Sequence, residues 1–183
     1  MNKRLRFEPE LALRLQRIYG LRRRPRDPHE FFRLLKVLSE KSPGTKDFLA
    51  LVRSGKAVIG TSELPTKDWF IGEDGKKVFT YCSYDTLMTA ILRGQGVIGS
   101  SCPHCGETMR IRMKRGKLES FSPMEMMFLW ATGPEGSPGN PMCDHLHFFP
   151  NRDHMTAWLR SREGEIGFSF RIPDALNYLR KRF

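Results

Sequence analysis

Val78-Phe79-Thr80-Tyr81-Cys82-Ser83-Tyr84-Asp85-Thr86-Leu87-Met88 changes its periodicity halfway along. It begins with an apolar, β-branched and aromatic run, the composition of a strand. It ends as a helix, with Leu87, Met88, Ile91 and Leu92 on one side and Gly94 as a stop. Cys82 therefore falls where a strand becomes a helix. The positive end of the helix dipole lowers a thiol pKa, so the position predicts an available thiolate at Cys82. Asp85, three residues on, comes beside that sulfur on a helical turn. A thiolate with an acid in reach binds a soft metal and moves a proton. The plainer alternative is a buried Cys followed by an Asp that caps the helix.

Outward from this stretch, Gly96–Ser100 reads as a strand and Cys102-Pro103-His104-Cys105-Gly106 as a tight turn. Residues 108–114 alternate, with Met109, Ile111 and Met113 against Arg110, Arg112 and Lys114, the pattern of a half-buried strand. Leu118–Phe121 and Met124–Trp130 are expected to continue an antiparallel meander, with Met124, Met126 and Met127 as core filler. Gly133–Pro141, with three Pro and three Gly, is a loop and a candidate lid, since it leads into Cys143. Met142–Phe149 reads as a strand, 151–160 as a helix carrying Met155, Trp158 and Leu159, and 165–170 as a last strand. Pro173 opens a C-terminal helix with Ala175, Leu176 and Leu179 inward.

Upstream, residues 8–19, 28–40 and 45–53 read as three short helices. Leu11, Leu15, Ile18 and Tyr19 stripe the first. Asp27, Pro28 and Glu30 form the N-cap of the second, whose apolar face holds Phe31, Phe32, Leu34, Leu35 and Leu38. The third carries Phe48, Leu49 and Val52 inward. Ala57-Val58-Ile59 suggests a short strand, and Glu73-Asp74-Gly75-Lys76 a hairpin turn. The expected architecture is α+β: a basic three-helix segment (1–65), then a mixed or antiparallel sheet packed with helices (66–183).

The net charge is +11, and residues 1–36 hold eleven Lys/Arg against four Asp/Glu. Leu21-Arg22-Arg23-Arg24-Pro25-Arg26 is the densest part. A basic arm grips phosphates, yet charge runs are more often solvated faces. The third helix lacks the polar and basic row that reads base edges, so a helical cap on the following domain is preferred over a nucleic-acid module. Hydrophobic content of 39% and charged content of 28% fit a folded globular chain. No apolar run approaches the roughly 20 residues that span a bilayer. The first residues lack an apolar core and carry Glu8 and Glu10, unlike a targeting peptide. These features predict a cytoplasmic protein whose four cysteines are thiols or metal ligands rather than disulfides.

Three groups carry chemistry: Cys82 with Asp85, the Cys102/Cys105 pair, and Cys143 with His145 and His147. On a strand, Cys143, His145 and His147 would share one face, as ligands or proton carriers. His29 and His154 attract no role.

The run from Trp69 to Phe183, about 115 of 183 residues, resembles the alkylmercury (organomercurial) lyases. The resemblance is carried by Tyr81–Leu87, by the Ser100-Ser101 turn with its nearby cysteines, by Cys143-Asp144-His145-Leu146-His147-Phe148-Phe149, and by Trp158 at the family's spacing. It implies catalytic roles for Cys82, Asp85 and Cys143. Two thiolates would hold the mercury of R–Hg⁺ and Asp85 would pass a proton to carbon, with no cofactor required. Hg(II) held by Cys82 and Cys143 would be the product, small thiols the co-reactants, and a mercuric reductase a candidate acceptor. The basic N-terminal part does not align with the helical region of the family. The Cys102/Cys105 knuckle is also a departure. It reads as an accessory Hg(II) pair, half of a zinc site, or a reduced structural turn. Cys143 with His145 would be an awkward source of the remaining zinc ligands. The rival function is a zinc-knuckle or soft-metal-sensing module, contacting nucleic acid through Arg22–Arg26.

Overall fold

The computed structural model describes residues 7–134 and 143–180. The chain is α+β, and every strand pair among the described residues is antiparallel.

Three helices lead: α1 (Pro9–Ile18), α2 (Pro28–Lys41) and α3 (Thr45–Arg53). The Asp27 carboxylate accepts from Glu30 N at 2.7 Å, satisfying one of the free N–H groups at the start of α2. Glu30 is itself buried. It accepts from Arg26 N and Nε at 2.8 and 2.9 Å, with Arg23 at 2.5 Å and Arg33 at 3.4 Å. The densest basic run thus folds back on an internal carboxylate. These bonds, led by the Arg26 N–H, hold Glu30 down at about 2. In α3 only Val52 is buried; Phe48 is exposed and Leu49 half-buried. The expected three-residue inner face fails because α3 packs on α2 and on the helix after Cys82 along one narrow edge.

The first sheet takes its strands from β1 (Thr61–Ser62), β2 (Asp68–Ile71), β3 (Lys77–Thr80), β4 (Gly96–Ser101), β5 (Thr108–Lys114) and β6 (Lys117–Ser122), in spatial order β1-β3-β2-β4-β5-β6. In β5, Met109, Ile111 and Met113 are buried and their neighbours exposed, so the alternation in sequence became alternation in space. Residues 57–59 form a loop, not a strand. Ile59 N donates to the Thr89 hydroxyl at 3.0 Å instead of to a neighbouring strand.

A second sheet begins where a continued meander was expected. The chain leaves the first sheet at the cis Ser122–Pro123 bond and enters β7 (Met127–Thr132). This strand lies between β8 (Leu146–Phe149) and β9 (Ile166–Arg171). All six residues of β7 are buried, so it is covered on both faces and shows no alternation. Met126 and Met127 are core, whereas Met124 is 68% exposed at the bend between sheets. Three further helices complete the fold: α4 (Ser83–Arg93), α5 (Arg152–Arg160) and α6 (Ile172–Arg180). From residue 135 to 142 the expected Gly133–Pro141 loop lies outside the described residues.

Trp130 is the hub of the core. Its ring lies 5.0 Å from Phe32 and Tyr84 and 5.2 Å from Phe31, all near edge-on, and stacks parallel to Phe168. Each such pair adds about 0.5–1.5 kcal/mol beyond area burial. Leu11, Leu15, Phe31, Phe32 and Leu35 therefore belong to the same hydrophobic core as β7 and α6. No helix among the described residues is long and apolar enough to cross a membrane.

Candidate active site

Among the described residues, two clusters of metal-ligating side chains have ligand atoms within 4.8 Å of one another. The first is Cys82, Asp85 and Cys143. Cys82 is the N-cap of α4, in extended backbone at φ −152°, and its thiol lies 3.3 Å from Asp85 Oδ2. Cys143 arrives from 61 positions further along the chain. Ser83 explains the meeting. Its hydroxyl donates to Asp68 Oδ1 at 2.7 Å and accepts from Phe148 N at 3.2 Å. The residue after Cys82 is thereby bonded to the strand that follows Cys143. Asp68 is fully buried and paired with Lys67 at 2.5 Å.

Cys143, His145 and His147 do not share a strand face. Cys143 and His145 lie in a turn before β8, closed by Leu146 N donating to Cys143 O at 3.3 Å. The period-two rule therefore does not apply across them. His145 Nδ1 stands 3.1 Å from Glu165 Oε1. His147 packs edge-on to Trp158 at 4.8 Å, and burial pushes its pKa well below the usual range, so it is a neutral core group.

The electrostatics reverse one expectation. The helix-terminal N–H of Asp85 does act on the Cys82 sulfur, but larger effects push that thiol up. The neighbouring Cys143 sulfur, then burial, then the Asp85 carboxyl, to which the Cys82 thiol donates at 3.3 Å, all raise it. The closeness of the Cys82 thiol pulls Cys143 below the ordinary thiol value. Of the two sulfurs, the less buried Cys143 is the readier to give up its proton and Cys82 the slower. Burial raises Asp85, and Asp68 nearby raises it further.

The three groups line a 310 Å³ cavity walled by Tyr19, Leu35, Leu38, Tyr84, Trp130 and Leu146. Two walls, Leu35 and Leu38, come from α2. A larger cleft of 690 Å³ between α3 and β3 is lined by Lys76, Lys77 and Arg93 among others, with no thiol or imidazole among the described residues that line it.

Gly60 was not singled out by sequence. Its φ is +58°, and a Cβ there would lie 2.1 Å from Asp85 Oδ2, overlapping the carboxylate. Asp68 and Ser83 were also missed; a buried acid opening a strand beside Trp69 was the only available signal.

The second cluster joins Cys102 and Cys105 to His154, with Cys105 Sγ 3.1 Å from His154 Nδ1. The sequence assigned His154 no role. Cys143 and His145 do not belong to this cluster.

Two thiols and a carboxyl facing an apolar cavity are a donor set that could hold a soft metal. Residues 62–183 match the family model described as MerB, alkylmercury lyase, and the chain belongs to that family. It is 29% identical over 119 residues to an alkylmercury lyase of Bacillus cereus, covering 64% of this chain and 53% of that one. It is 30% identical over 112 residues to the alkylmercury lyase of a Staphylococcus epidermidis strain, covering 60% and 51%. The chain thus spans about half the length of the curated relatives it matches. A solved structure titled as the mercury-bound form of MerB2 has the same fold. Its TM-score is 0.54 at 21% identity, over 96% of this chain and 99% of that one.

Proposed function

We propose that this protein cleaves carbon–mercury bonds by protonolysis, with Cys82, Asp85 and Cys143 as the reacting groups. The observation that carries the reading is the meeting of these three side chains within 4.8 Å at an apolar cavity. Cys143 thiolate displaces a small thiolate from R–Hg–SR′ and takes the mercury. Cys82 passes its proton to Asp85, and the freed thiolate becomes the second sulfur on mercury. The carbon–mercury bond then breaks with its electron pair on carbon, which takes the proton from Asp85. R–H leaves, Hg(II) remains on two thiolates, and Asp85 returns to carboxylate. Neutralising R–Hg⁺ with two sulfurs and one transferred proton balances charge and atoms without a resident cofactor.

The apolar walls suit an alkyl or aryl group, and the segment 1–65 serves as the cap that supplies Tyr19, Leu35 and Leu38 to a catalytic unit over 66–183. Small thiols reload the site, and a mercuric reductase is a fitting acceptor for the bound Hg(II). A reducing cytoplasm keeps both cysteines as thiols. Family membership favours this reading over a metal-sensing module, and Arg23 and Arg26 are already engaged by Glu30.

The test is hydrocarbon release from phenylmercury with excess small thiol, read by headspace gas chromatography. Cys82→Ala and Cys143→Ala should each abolish turnover. Turnover surviving in both variants would defeat the proposal.

A further inference from the structure

We infer that Cys102, Cys105 and His154 form a second metal site, separate from the reacting thiols, that holds one zinc ion and staples the turn after β4 to α5. The sequence offers only half of it, a Cys-x-x-Cys knuckle. The fold brings up the third ligand from 49 residues beyond Cys105.

The geometry suits a tetrahedral ion. Zinc at about 2.3 Å from sulfur and about 2.0 Å from nitrogen holds its ligand atoms roughly 3.5–3.8 Å apart. Here Cys105 Sγ and His154 Nδ1 are 3.1 Å apart, and all three ligand atoms lie within 4.8 Å of one another. Metal entry needs only small rotations about Cβ. The knuckle is already shaped: Gly106 N donates to Cys102 O at 2.9 Å, and Cys102 N to Glu107 O at 2.9 Å. His104 N points at Cys102 Sγ at 3.4 Å.

His154 is equally prepared. Asn151 caps α5 by accepting from His154 N at 3.0 Å, which fixes the backbone carrying the imidazole. Cys102 is buried, Cys105 exposed and His154 half-buried, so the site lies at the surface with an entry path. His104 stands edge-on to His154 at 5.8 Å between ring centroids and is not within the cluster. Three protein ligands then leave the fourth place to water. A mixed sulfur and imidazole set suits zinc, whereas oxygen donors, which calcium or magnesium would need, are absent from the cluster.

The test uses the full chain and a Cys82→Ser/Cys143→Ser form that lacks the reacting thiols. Both should retain one equivalent of zinc by mass spectrometry after purification. Cobalt should replace it and show the visible bands of a tetrahedral thiolate complex. Zinc at about a hundredfold its dissociation constant should raise Tm by roughly 5–10 °C. Cys105→Ser and His154→Ala, neither of which removes a fully buried side chain, should lose the cobalt bands. They should also weaken zinc by more than the about 10–100-fold that an outer contact costs. Two results would overturn the inference. One is zinc that disappears with Cys82 and Cys143; the other is zinc or cobalt binding that His154→Ala leaves unchanged. Because metal content is read without substrate, failure here says nothing against carbon–mercury cleavage, and success does not depend on it.

Discussion

Replacing Gly60 by Ala should separate mercury binding from proton delivery. The new Cβ would overlap the Asp85 carboxylate. The loop cannot swing away easily, because Ile59 N donates to Thr89 Oγ1 at 3.0 Å and Tyr81 N donates to Gly60 O at 2.8 Å. Asp85 must therefore retreat by about 1 Å to restore van der Waals distance. A displacement of that size at a reacting group costs about a hundredfold in rate, or about 2.7 kcal/mol of barrier. Ala in left-handed backbone adds about 1–2 kcal/mol of destabilisation. Gly55→Ala is the control. It has φ +83° and nothing within 4 Å of its would-be Cβ, so it pays the backbone strain without touching the acid. Both variants should lose similar stability in a thermal melt. Only Gly60→Ala should slow benzene release from phenylmercury about a hundredfold, while still binding one Hg(II) at Cys82 and Cys143. Wild-type turnover in Gly60→Ala, or an equal loss in Gly55→Ala, would refute the role given to this contact.

Asp85→Asn should abolish turnover yet stabilise the fold near neutral pH. Burial raises the Asp85 pKa, so its contribution to stability is complete below the ordinary carboxylate range and is lost as pH rises through the raised value. The Tm gain over wild type should therefore be larger at pH about 7 than at pH about 4; a gain independent of pH would contradict the assignment. Limited alkylation with iodoacetamide, followed by peptide mass spectrometry, should label Cys143 well before Cys82, since Cys143 is pulled down and Cys82 pushed up. Faster labelling of Cys82 would reverse the order of the two thiols. Glu30→Gln should flatten the acid limb of the Tm profile. A carboxylate held at about 2 stabilises the fold above its ordinary range and loses that contribution as pH falls towards 2. An unchanged acid limb would mean that the Arg26 bonds do not persist in solution.

Local pattern carried much of this protein. The alternation of Met109, Ile111 and Met113, the Asp27–Glu30 cap, the switch from strand to helix at Cys82 and the stop at Gly94 are written in neighbouring residues, and each formed as read. The resemblance of two short motifs placed the chain among the alkylmercury lyases, the family its matched region belongs to. Other features depended on residues far apart in sequence. β7 left the expected meander for a second sheet because covering both its faces required a new layer. His145 and His147 turned away from the thiols because the chain bends before β8. The Cys82 thiol is raised rather than lowered because its environment includes Cys143 and Asp85 in a buried space, a field that outweighs one helix end. His154 met Cys105 only when α5 docked. Periodicity and capping act over a few residues and can be read from the chain. Charge, burial and ligand geometry are sums over whatever folding brings within a few ångströms, and those neighbours exist only in three dimensions.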